Sequence, residues 1–173
     1  MKTLFSKKTK MTLDNSKSQT KLELLDGRSE LLHFSQATPT EFIVNDSNFG
    51  IRSGVSVDLD IQNVDLVAKS SVLWPEQEIR VRGGVHAQGK SLKATATIPF
   101  NKTMKDGVKG ESWLFWSIET PVGTLHNKKP IHMTGTIQGL PPKNATLAST
   151  DIIPLYDQDD ELAGHIYGCL QSN

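Results

Sequence analysis

Few residues in this sequence are of a type that does chemistry, and they are scattered. There are five histidines, His33, His86, His126, His132 and His165, and one cysteine, Cys169. His126 and His132 stand six apart, across a turn that holds Pro130. His165 and Cys169 stand four apart; on a strand that spacing separates them by roughly 13 Å. A metal ion holds its ligands within ~2.3 Å, so this pair does not make a metal site, and Gly164 and Gly168 argue against the helix that would bring the two together. Cys169 lies in an apolar run with no base spaced to activate it, which reads as a buried, inert thiol. No G-x-S-x-G, H-E-x-x-H, C-x-x-C or G-x-x-x-x-G-K-[ST] pattern occurs. Gly83-Gly84 with Gly89-Lys90-Ser91 has the wrong spacing for a phosphate loop and reads as a hairpin turn. The expectation is a non-enzymatic protein with no metal and no cofactor.

Charge gives the stronger signal. The 173 residues carry no net charge, with 19 basic and 19 acidic side chains. Six lysines (Lys2, Lys7, Lys8, Lys10, Lys17, Lys21) fall in the first 21 residues against one acid, Asp14. The body that follows is therefore mildly acidic. Leu4-Phe5 is cut off at once by Ser6-Lys7-Lys8, so the apolar run of a secretory signal is missing. Residues 1–21 thus read as a flexible basic arm. Arg80 and Arg82 share a strand face by alternation. With Lys90, Lys93 and the arm they would offer a basic surface to phosphate backbone or anionic lipid. The acidic run Asp157, Asp159, Asp160 and Glu161 would attract a neighbouring molecule's arm and support self-association. Its lack of alternating ligands and of a turn glycine argues against a calcium loop.

The elements that must position these groups read as strands. Val55 to Ile61, Glu78 to Arg82, Leu92 to Ile98 and Ile131 to Ile137 alternate apolar and polar residues. Ser112 to Ile118 is apolar on both faces and reads as one central strand, with Trp113 and Trp116 on opposite faces. Leu162 to Leu170 reads as the last strand. Helix signals are weak: the best stretch, Lys21 to Leu32, is interrupted by Asp26-Gly27. Hydrophobic residues at 36%, together with 13 glycines, suit a folded chain. The expected fold is all-β: a single antiparallel sandwich or barrel-like domain over residues 22–173, preceded by the arm. No apolar run is long enough for a membrane-spanning helix.

The opening "MKTLFSKKTKMT" resembles the lysine-rich start of rhabdovirus matrix proteins. That resemblance implies a viral structural protein of the virion and host cytoplasm, which binds nucleoprotein or an anionic membrane surface and forms a homo-oligomer. The body departs from that family in having few helices, and no P-P-x-Y motif is present. The strand-rich body is similar to plant-virus movement proteins of the 30K type and small coat proteins, which implies binding of RNA without sequence preference. The remaining alternative is a β-barrel holding a small apolar ligand, lined by the inward faces of its strands.

Overall fold

The computed structural model describes residues 8–50 and 54–173, without the side chains of 46–50. Its strands form one antiparallel sheet. Most of them come in collinear pairs, two strands end to end along a single line, here called a rail. The first rail is β1 (Thr9–Leu13) and β2 (Lys17–Leu24), and the second is β3 (Ser29–Gln36) and β4 (Thr40–Gly50). β5 (Gly54–Lys69) is one unbroken strand of 16 residues. β6 (Glu78–Gly84) and β7 (Leu92–Ile98) form the next rail, with one helical turn, α1 (Val85–Gln88), looped out between them. β8 (Val108–Leu114) with β9 (Ser117–Thr120), then β10 (Gly123–Asn127) with β11 (Ile131–Ile137), form two more. β12 (Thr146–Tyr156) and β13 (Leu162–Ser172) complete the set.

The register defines the rails. On one edge β5 pairs with β7 along residues 55–61 and with β6 along 63–69. On its other edge it pairs with β4 and then β3. β8 and β9 pair with β7 and β6 respectively, and β11 and β10 pair with β8 and β9. β12 takes β11 at one end and β10 at the other. β13 pairs with β12 and, on its far edge, with β2, which closes the ring. The result is an eight-stranded antiparallel barrel in which each rail lies beside its neighbour in sequence. Pro154 sits where β12 has no recorded partner on the β10–β11 side, a place where a missing N–H costs little.

Barrel rather than sandwich is thus the architecture, and several local readings change. Of the expected arm, residues 1–7 lie outside the described residues. Thr9–Leu13 and Lys17–Leu24 are strands of the closed sheet, so the arm does not reach residue 21. Alternation was hidden there because the inward residues of β2 include Ser18 and Thr20, both buried. Their hydroxyls are satisfied locally: Ser18 Oγ lies 3.4 Å from Cys169 Sγ, and Thr20 Oγ1 donates to Gly168 O at 2.6 Å. Asp26-Gly27 turns the β2–β3 hairpin instead of breaking a helix, with Gly27 at φ 87°. Gly83-Gly84 ends β6 and makes no hairpin. Gly84 has φ 93°, and a Cβ there would sit 2.3 Å from Gln62 O, so only glycine fits. The tryptophan strand breaks at Phe115-Trp116, where β8 hands over to β9. Asn127 staples this corner: its Oδ1 accepts from Trp116 N at 2.7 Å, and its Nδ2 donates to Leu114 O at 3.0 Å.

One half of the barrel is packed solid. Leu22, Leu32, Phe34, Leu66, Ile79 and Trp116 belong to its central cluster, each 3% exposed or less. The loop 70–77 closes this end, and Glu30 holds it. The Glu30 carboxylate accepts from Ser70 Oγ, Ser71 N, Ser71 Oγ and Leu73 N at 2.7–3.0 Å. Burial alone pushes its pKa up. The bonds from the Ser71 and Leu73 N–H groups and the two serine hydroxyls outweigh burial and hold it at about 2.

Two outcomes follow. A chain starting at residue 22 loses β1 and most of β2, leaves β13 without its closing partner, and does not melt cooperatively by circular dichroism. Glu30→Gln lowers stability at neutral pH by about 1–3 kcal/mol. Because the folded pKa is depressed, Glu30's contribution is full above its ordinary value of 4.5 and fades as pH falls towards 2. Denaturant titrations of the two proteins across that range therefore converge at the acid end.

Candidate functional site

The other half of the barrel is hollow. Here the inward positions of β7 and β8 carry small side chains, Ala94 and Ala96 on one and Gly110 and Ser112 on the other. Around them the core divides into two minor clusters. Leu13, Phe42 and Leu59 form one; Ala96, Val108, Ile137 and Ala145 form the other. Leu140 packs against both. Between them lies a chamber of about 90 Å³. Its walls are largely apolar: Leu13, Phe42, Leu59 and Ile61 on one side, Ile137 and Leu147 on another. Ser112 also lines it.

The rim is tied by hydrogen bonds. Asn173 Nδ2 donates to Pro142 O at 2.8 Å, and Ser16 Oγ donates to Asn173 Oδ1 at 2.9 Å. This links the 138–145 loop to the junction of β1 and β2. Gln36 Nε2 donates to Leu13 O at 2.8 Å and to Thr40 Oγ1 at 3.0 Å. Outside the rim an open depression, lined by Thr12, Asp14, Asn15 and Lys143, shares Leu13 and Asn173 with the chamber. The one ionisable residue lining the chamber is Glu111. Its carboxylate is held by His132 Nε2 at 2.7 Å and Lys109 Nζ at 3.2 Å. The His132 hydrogen bond, foremost, keeps Glu111 below the usual carboxylate range. Trp113 stacks on His132 with ring centroids 5.2 Å apart.

The residues singled out by charge are not gathered here. Lys2 and Lys7 lie outside the described residues. Lys8 and Lys17 are exposed, and Lys10 pairs with Glu41 at 3.5 Å. Lys21 lies over the Tyr167 ring, and Lys90 over that of Phe115. Lys93 is ion-paired with Asp60. Arg80 and Arg82 do share a face, but with acids beside them. Arg80 grips Asp65 through two bonds of 2.7 Å, and Arg82 Nε lies 3.5 Å from Glu119. Lys10, Arg80, Arg82 and Lys93 are thus each paired with an acid. The acidic run is the β12–β13 turn. Asp157 Oδ1 accepts from the N–H groups of Asp159 and Glu161, while Asp160 pairs with His126 at 3.1 Å and Lys128 at 3.4 Å. Among the described residues no three His, Cys, Asp or Glu side chains form a metal-binding group.

Comparison with known proteins places the fold. No protein-family model matches the chain, and no curated protein matches it. A solved structure does: DynF, from the dynemicin biosynthesis pathway of Micromonospora chersina. The likeness covers 97% of this chain and 84% of that one, at a TM-score of 0.73 and 13% sequence identity. The fold is shared; identity this low carries the fold alone. The matrix-like reading, with its movement- or coat-protein variant, is corrected by this likeness. Lys10, Lys17 and Lys21 of the supposed arm belong to strands of the barrel, and the barrel resembles a biosynthesis-pathway protein. No helix among the described residues is long and apolar enough to cross a membrane.

Cys169 is 5% exposed, and burial pushes its thiol up to about 11, partly offset by Ser18. A disulfide reagent added near pH ~8 finds no reactive thiolate in the folded protein. One equivalent reacts after unfolding in urea. Immediate reaction of the native protein would show the thiol to be open.

Proposed function

We propose that the protein binds a small, largely apolar molecule inside its barrel. The observation that carries this reading is the apolar chamber of about 90 Å³ in an otherwise packed barrel. Eight strands enclose an interior just wide enough either to be filled by side chains or to hold one small ligand. Here one half follows the first course, and Ala94, Gly110 and Ser112 leave the other half open. The likeness to a protein of a biosynthesis pathway supports the same reading. The role is binding without conversion. The lining offers no nucleophile with its base and no acid–base pair, since Glu111 is already engaged by His132 and Lys109.

Toluene is a suitable probe: an apolar cavity of roughly 150 Å³ takes up benzene, and this chamber of about 90 Å³ is open at its rim rather than sealed. Titrated into isotopically labelled protein, it shifts the amide signals of Leu59, Ala94 and Ile137 saturably. The affinity does not depend on salt, unlike charge-driven binding to phosphate. Ala94→Leu fills the chamber and abolishes the shifts, while its circular dichroism stays that of the parent. Absence of any saturable shift in the parent protein overturns the reading.

A further inference from the structure

Ser112 is the exception among the buried hydroxyls of the described residues. Seven serine and threonine residues are buried among the described residues: Ser16, Ser18, Thr20, Thr40, Ser70, Ser112 and Ser149. Six have hydroxyls within hydrogen-bond distance of a partner. Ser16 reaches Asn173, Ser18 meets Cys169, Thr20 reaches Gly168 O, Thr40 accepts from Gln36, Ser70 reaches Glu30, and Ser149 accepts from Asp151 N. Ser112 Oγ alone has no partner, although the residue is only 4% exposed. A buried hydroxyl without a partner is costly, and native folds seldom keep one. Its place is specific: between Ala94 and Met133 in register, on the inner face of β8, at the wall of the chamber.

We propose that the ligand is a neutral molecule with a compact apolar body and one hydrogen-bonding oxygen, a hydroxyl or a carbonyl, which Ser112 Oγ engages. The inference rests on the chamber being a binding site, and adds what class of molecule it selects. The apolar body follows from Leu13, Phe42, Leu59 and Ile61. Neutrality follows from the charges. The lining has no cation, and the Glu111 carboxylate is bonded to His132 and Lys109. A carboxylate or ammonium placed here would be desolvated without a counter-charge. A hydroxyl or carbonyl oxygen recovers on Ser112 the hydrogen bond it leaves in water. One such anchor in an apolar chamber fixes orientation without demanding charge.

The test compares toluene, phenol and benzoate, which share a ring and differ in one group, against the parent protein and Ser112→Ala, by amide-shift titration. In the parent, toluene and phenol bind and benzoate does not. Ser112→Ala weakens phenol by roughly 3–10-fold, the scale of one net hydrogen bond, and leaves toluene unchanged or tighter. The melting temperature of the unliganded variant does not fall, because no internal bond is lost. Equal effects on phenol and toluene, or a fall in melting temperature, overturn the anchor while leaving the chamber a binding site. Binding of benzoate overturns neutrality. Failure of both toluene and phenol to bind the parent protein overturns the chamber itself, and the anchor with it.

Discussion

Closure of the sheet is the constraint on which everything else depends. β13 pairs with β12 on one edge and with β2 on the other, and that last ladder turns a row of hairpins into a ring. A ring has no edge strands to shield. Its perimeter is set by strand number and stagger, so the interior volume is set before any side chain is chosen. The interior then has only two states at each level, filled or hollow. Breaking the rails lets the chain serve both. The interruptions at the β1–β2 junction and at α1 each shift by one the positions that face inward, from Leu13 to Ser16 and Ser18, and from Ile79 and Val81 to Leu92 and Ala96.

The two halves differ in what faces inward. In the packed half Trp116, Phe34 and a set of leucines and isoleucines interdigitate, and Glu30 ties the closing loop beneath them. In the hollow half Ala94, Gly110 and Ser112 fall short of the axis, and the space they leave is walled by larger residues that cannot reach across it. The packed half gives the hollow half a rigid frame. A cavity survives in a protein only where the surrounding structure cannot relax into it, and closed ladders on both sides of β7 and β8 resist that relaxation. The outer surface plays a quieter part. Several of its cations stand beside acids, Arg80 with Asp65, Lys93 with Asp60, Lys10 with Glu41. Exposed pairs of this kind contribute little stability each.

The body strands were legible in the sequence wherever one face was apolar. Val55 to Ile61, Glu78 to Arg82, Leu92 to Ile98 and Ile131 to Ile137 alternate cleanly, and they and Leu162 to Leu170 all lie within strands of the barrel. The N-terminal rail was not legible. Its inward positions include Ser16, Ser18 and Thr20, which are buried only because Asn173, Cys169 and Gly168 lie opposite to receive their hydroxyls. Those partners lie about 150 residues away in the chain, beyond any local pattern. The long reading of Ser112 to Ile118 as one strand failed for a related reason. The corner at Phe115-Trp116 is held by Asn127, a contact that composition cannot reveal.

What the sequence determined by itself was the fold class and the setting of its one cysteine. Period-two alternation and turn residues made the chain all-β, and the position of Cys169 in an apolar run foretold a buried thiol. Only the tertiary structure decided that the sheet closes, that Lys10, Lys17 and Lys21 belong to it, and that one end is left open. Alternation says which residues face inward, but not whether the inward residues of opposite walls meet. That depends on the diameter of the ring and on which small side chains, Ala94, Gly110 and Ser112 among them, fall at the same level. Both are properties of long-range pairing, which the order of residues along the chain does not display.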